Sequence, residues 1–121
     1  LKTAYWPRPV VVGSYLVVVG GNWDDADVST VFVGKLDEAG KIASWQIGTP
    51  TKYRLESPSV AVWKDRIVVT GGYEAKEPEG EVTTKVITAT VDQATGTVGP
   101  WTDLTPLPIP LVLHGSAFAS P

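Results

Sequence analysis

Short apolar runs, each about the length of a strand, are separated along this chain by polar breaks carrying glycine and proline. No long amphipathic helix is written anywhere. The abundance of valine, threonine, glycine, proline and tryptophan suits strands joined by tight turns. Residues 1–9 form a polar lead-in where Pro7 and Pro9 push their predecessors toward extended geometry. Strands are expected at 10–12 and 15–19, joined as a hairpin by Gly13-Ser14. Gly20-Gly21 ends that hairpin and a polar loop, 22–27, follows. Strands at 28–36 and 42–47 flank a turn at 37–40, and 51–57 is a connector. The order then returns: strands at 60–63 and 66–70, Gly71-Gly72, a charged loop at 73–81, and strands at 82–91 and 98–103.

The return is an internal repeat. Placing Gly20 on Gly71 also puts Pro7, Val11, Val17 and Val18 on Pro58, Val62, Val68 and Val69. Residues 36–45 then fall on 91–101 with Thr95 as one extra turn residue, so that Trp45 meets Trp101. Thr49-Pro50 meets Thr105-Pro106, and a third copy begins where 114–119 match 58–63. Four strands per repeat of about 50 residues is a propeller signature. One such sheet cannot bury both of its faces, and its neighbours in a ring cover them. The expected fold is therefore all-β, a β-propeller fragment with two four-stranded antiparallel blades plus the inner strand of a third. The expected divisions are 1–56, 57–112 and 113–121. Trp45 and Trp101 are expected as large apolar bodies wedged between sheets.

Charge and composition narrow the function. The formal charge is −3, so there is no basic footprint for nucleic acid. No apolar run approaches the roughly 20 residues of a membrane span, and no signal-peptide pattern opens the chain. Cysteine is absent, which removes disulfides, thiolate metal sites and a cysteine nucleophile, and leaves an extracellular or periplasmic setting open. Methionine is absent even at position 1, as for a chain that begins after processing or inside a longer product.

The double glycines with their preceding apolar strands, the turn glycines Gly40 and Gly96, and Trp45 and Trp101 with the proline beyond them resemble the Kelch-like β-propeller family. The likeness runs from about Pro7 to Ala119. The tyrosine usual between double glycine and tryptophan is missing from Val31-Phe32-Val33-Gly34 and Val86-Ile87-Thr88-Ala89, so the repeats look like divergent bacterial ones. The resemblance implies inner strands at 10–12, 60–63 and 116–119. It also implies ligand contact at the loops after the double glycines and at the entries to the inner strands, which hold Arg8, Asn22, Trp23, Asp24, Ser57, Ser59, Tyr73, Glu74 and His114.

Of these, Arg8, Trp23, Tyr73 and His114 are the candidate ligand-binding residues. Arg8 can grip a carboxylate or sugar acid, and Trp23 and Tyr73 can stack on sugar faces. His114 is the only histidine and cannot build a multi-histidine metal site. Asp24, Asp25 and Asp27 lack the EF-hand order of ligands and read as a solvated acidic loop. The run Glu74, Glu77, Glu79 and Glu81 reads as a solvated loop tip. No helix follows Gly20-Gly21, so a dinucleotide fingerprint is excluded, and Ser57 and Ser59 have no triad context. No catalytic residue, metal or cofactor is expected. The expectation is a non-catalytic binding or scaffold module presenting loops to a protein or glycan. Its alternative is a fragment of a carbohydrate-active propeller enzyme of the sugar-oxidase or sialic-acid-mutarotase type. Rings of roughly four to eight blades require more than two, so the remaining blades of a longer chain or identical subunits are expected to complete it.

Overall fold

The computed structural model describes residues 4–5, 7–20, 22–23, 29–76 and 78–112. Residues 1–3, Trp6, Gly21, residues 24–28, Glu77 and residues 113–121 lie outside these, among them Asp24, Asp25, Asp27, His114 and the expected strand at 116–119. The described chain is all-β, without helix and with antiparallel pairing throughout. Its strands are β1 (Ala4–Tyr5), β2 (Arg8–Val12), β3 (Tyr15–Val19), β4 (Asn22–Trp23), β5 (Val31–Leu36) and β6 (Ile42–Gly48). There follow β7 (Leu55–Glu56), β8 (Ser59–Trp63), β9 (Arg66–Thr70), β10 (Tyr73–Glu74), β11 (Glu81–Val82), β12 (Val86–Thr90) and β13 (Thr102–Asp103).

Two four-stranded meanders result, ordered β2-β3-β5-β6 and β8-β9-β12-β13. Their edge strands β2 and β8 lie side by side. Pro9 is tolerated inside β2 because an edge strand can spare one donor. Residues 83–85 separate β11 from β12, so the single strand expected at 82–91 is two. In the last strand Gly99 and Pro100 interrupt the ladder, leaving the Val91–Val98 bridge and the short β13.

The repeat is written in backbone hydrogen bonds as well as in sequence. Leu36 N donates to Ser14 O at 2.8 Å, and Val91 N to Asp65 O at 2.8 Å. Thr51 N donates to Ser29 O at 2.8 Å, and Leu107 N to Thr84 O at 2.8 Å. In the turns, Asp37 Oδ1 accepts from Ala39 N and Lys41 N, while Asp92 Oδ1 accepts from Ala94 N and Thr95 N. The aspartate mimics a turn of backbone and Gly40 or Gly96 supplies the positive φ, +78° in both. At the loop end, β1 pairs β4 through Ala4↔Trp23 and β7 pairs β10 through Leu55↔Glu74, the same registers one repeat apart.

Register decides which residues meet. In the first sheet Val17, Val33 and Gln46 share one face with Val12, Tyr15, Val19 and Val31. That face lies against Ile67, Val69, Ile87, Ala89, Val98 and Trp101 of the second sheet, and together they form the core. Removing each of these large side chains from water contributes about 1.5–3 kcal/mol. Gly48 makes the close approach possible, because a Cβ there would come within 2.9 Å of Val98 Cγ2.

Candidate functional site

The strand ends beginning at Arg8 and Ser59 and those ending at Val19 and Thr70 are opposite each other in register, so the loops after the double glycines and the inner-strand entries share one end of the two sheets. Arg8 and Tyr73 are therefore at that end, as expected, and Trp23 belongs to the two-residue β4 there. Local contacts restrain Arg8 and Tyr73. Arg8 Nε donates to Pro58 O across the sheets at 2.8 Å. The Tyr73 ring covers Gly80, where a Cβ would lie 2.5 Å from its Cε1. It thus packs on its own loop. Ser57 and Ser59 are buried. His114 lies outside the described residues.

Glu74 was expected at a solvated loop tip and is buried instead. Lys85 meets both its oxygens, at 2.6 and 2.8 Å, which offsets the cost of burying the carboxylate. The same ammonium lies 3.8 Å from the centre of the Tyr53 ring. Tyr53 Oη donates to Asp103 Oδ1 at 3.0 Å, and Lys52 Nζ to Asp103 Oδ2 at 2.5 Å. The hydrogen bond from Lys52, followed by that from Tyr53, holds the Asp103 carboxyl below the usual range, and Lys52 is raised in return by Asp103. The chain Lys52–Asp103–Tyr53–Lys85–Glu74 ties the connector between the sheets to the second sheet. Its groups satisfy one another, so it acts as a strut under the loops. The Lys76–Glu81 pair, 2.6 Å, is a surface contact on the loop above; its hydrogen bond raises Lys76 and lowers Glu81. Among the described residues no group of three or more His, Cys, Asp or Glu is placed to hold a metal ion.

Two open sheet faces are the larger feature. On the first sheet, Val11 pairs Leu16, which pairs Gly34, which pairs Trp45, and Pro9, Val18, Phe32 and Ile47 form the next row of the same face. Trp45 is 54% exposed and Ile47 72%. Trp101, its repeat equivalent, is 8% exposed and donates from Nε1 to Thr49 O at 3.0 Å. The expectation that both tryptophans wedge between sheets therefore holds for Trp101 alone; among the described residues no second sheet lies against Trp45. On the far side of the second sheet an apolar groove of about 360 Å³ is lined by Trp63, Arg66, Val68, Thr88 and Leu104. Sequence alternation carries the signal for this groove, but only once the register of β8, β9 and β12 is known. No family model and no curated protein matches the chain.

Proposed function

We propose that this chain is a blade pair of a Kelch-like β-propeller and works as a non-catalytic binding or scaffold module, presenting the loop end to a protein or glycan. The observation that carries the reading is the repeated register: both meanders reproduce the same turn, bridge and connector hydrogen bonds and pack face on face. The Lys85–Glu74 strut supports it, since it spends buried charge on holding loops in place rather than on a reacting group. The two open faces mean that further blades, or further copies, are needed to cover them.

A glycan array probed with the labelled chain and with Trp23→Ala tests this. Retention that weakens about tenfold in the variant, the loss of roughly 1.4 kcal/mol, is the expected result for stacking at the loop end. Equal retention by both chains would take the aromatic loop out of the account. Release of a product from a retained glycan would overturn the non-catalytic reading.

A further inference from the structure

The junction between the two sheets is a template for the faces left open. Repeat equivalence carries each of its contacts onto two positions, one on the Trp45 face and one in or beside the groove. Trp101 Nε1 donates to Thr49 O at 3.0 Å, and Thr49 Oγ1 to Val98 O at 2.7 Å. Their equivalents are Trp45 with Thr105, and Thr105 with Ile42, so the same donors and acceptors are present.

Two further contacts change chemistry, and both sides change together. Gln93 reaches across to the Gly13-Ser14 turn, where Ser14 N donates to its Oε1 at 3.4 Å and its own Nε2 donates to Val12 O at 3.4 Å. Tyr15 Oη lies 3.5 Å from Gln93 O. The equivalent of Gln93 is Glu38, and those of Gly13 and Tyr15 are Lys64 and Arg66. Lys64 even keeps the left-handed backbone, φ +57° against +59° for Gly13. A neutral contact becomes an acid between two bases, with Asp65, in the place of Ser14, and the neighbouring Asp92 as like charges there. At the other end, Asp103 binds Lys52 and Tyr53. Their equivalents are Ile47, Pro108 and Ile109, with Ile47 72% and Ile109 58% exposed, so a polar contact becomes an apolar one. Leu104 for Gly48 and Ile42 for Val98 add volume on both sides, so this junction is wider than the one Gly48 allows, with Leu104 as a wall of the groove.

From this paired exchange we infer that the Trp45 face of one copy docks in the Trp63–Leu104 groove of the next. The inference rests on the blade reading above and names the partner as a second copy of this chain. The contact is head to tail, so it repeats until the rotation closes. With two blades per copy, a ring of roughly four to eight blades takes about two to four copies.

Sedimentation velocity over a micromolar concentration series tests it, with circular dichroism as the check on folding. The wild-type chain is expected to form a closed species of about two to four copies. Glu38→Lys is expected to weaken association about tenfold or more, and Glu38→Lys combined with Lys64→Glu and Arg66→Glu to restore most of it. Because the chain has no cysteine, Ile47→Cys with Ile109→Cys gives a clean second readout: a short bismaleimide cross-linker should join neighbouring copies. A monomer with native circular dichroism at every concentration overturns the inference and leaves the blade reading standing. The seat then belongs to residues 114–119 or to further blades. Loss of the β signal in the wild-type chain would remove both.

Discussion

At Gly20 the backbone has φ +70°, and a Cβ would meet Pro58 Cδ at 2.9 Å and Leu55 O at 3.0 Å. Two separate costs therefore fall on any side chain there. The left-handed conformation costs about 1–2 kcal/mol for a residue with a Cβ, and the contact with a proline ring and a carbonyl adds an overpacking cost of about 1–3 kcal/mol. Gly40 has a similar φ, +78°, with nothing within 4 Å of its Cβ position. It isolates the backbone cost. Gly20→Ala is expected to lower stability by about 3 kcal/mol and Gly40→Ala by about 1 kcal/mol, measured by urea unfolding. Equal losses would mean that the double glycine serves only its backbone angle and not the approach of Pro58. Sequence shows both glycines but not this difference, since it depends on what lies opposite across a chain separation that no local pattern encodes. Glu74 teaches the same lesson in charge: in a run of glutamates it reads as solvated, yet it is buried with Lys85 on both its oxygens.

Strands long enough to alternate were legible and shorter ones were not. β3, β9 and the start of β6 follow the apolar pattern residue by residue, and the turn residues Gly13-Ser14 and Lys64-Asp65 mark where they fold back. The two-residue strands β7 and β10 lie in stretches read as connector and loop, and β11 straddles the end of that loop, because two residues carry no period. The candidate site was legible as an end of the sheets, through Arg8 and Tyr73, while the strut beneath it was not, since Lys52, Tyr53, Lys85 and Asp103 are scattered over connector and strand. The two tryptophans show how element context divides equal residues. Trp101 sits against the other sheet with its indole N–H bonded, and Trp45 stands at the same register with no second sheet facing it among the described residues. Trp101→Ala is expected to cost about 3–5 kcal/mol at any protein concentration. Trp45→Ala is expected to cost under about 0.5 kcal/mol in dilute chain and more as copies associate, by mass action. Thermal unfolding followed by circular dichroism at two widely separated concentrations checks both. A large concentration-independent loss for Trp45→Ala would mean that its packing across Gly34 within the sheet, and not a neighbouring copy, carries the ring's contribution.

For the molecule as a whole, the question is whether two sheets make one cooperative unit. Each sheet has one face buried only by the other. Val17 and Val33 are completely buried, as are Ile67, Val69 and Ile87, and Val98 enters the space that Gly48 leaves beside Val33. Opening one sheet therefore exposes the core face of its partner. In a stacked-repeat description the stability of each unit is then mostly an interface term rather than an intrinsic one. Val33→Ala removes two methyl groups from that interface and is expected to cost about 2 kcal/mol. If the sheets open together, amide exchange should speed up about thirtyfold, the kinetic equivalent of that loss, at Val69 and Ile87 in the second sheet as much as at Val17 in the first. Faster exchange confined to β3, β5 and β6 would show two independently folding sheets. In that case the shared core contributes little to cooperativity, and each meander would have to draw its stability from its own turns and ladders.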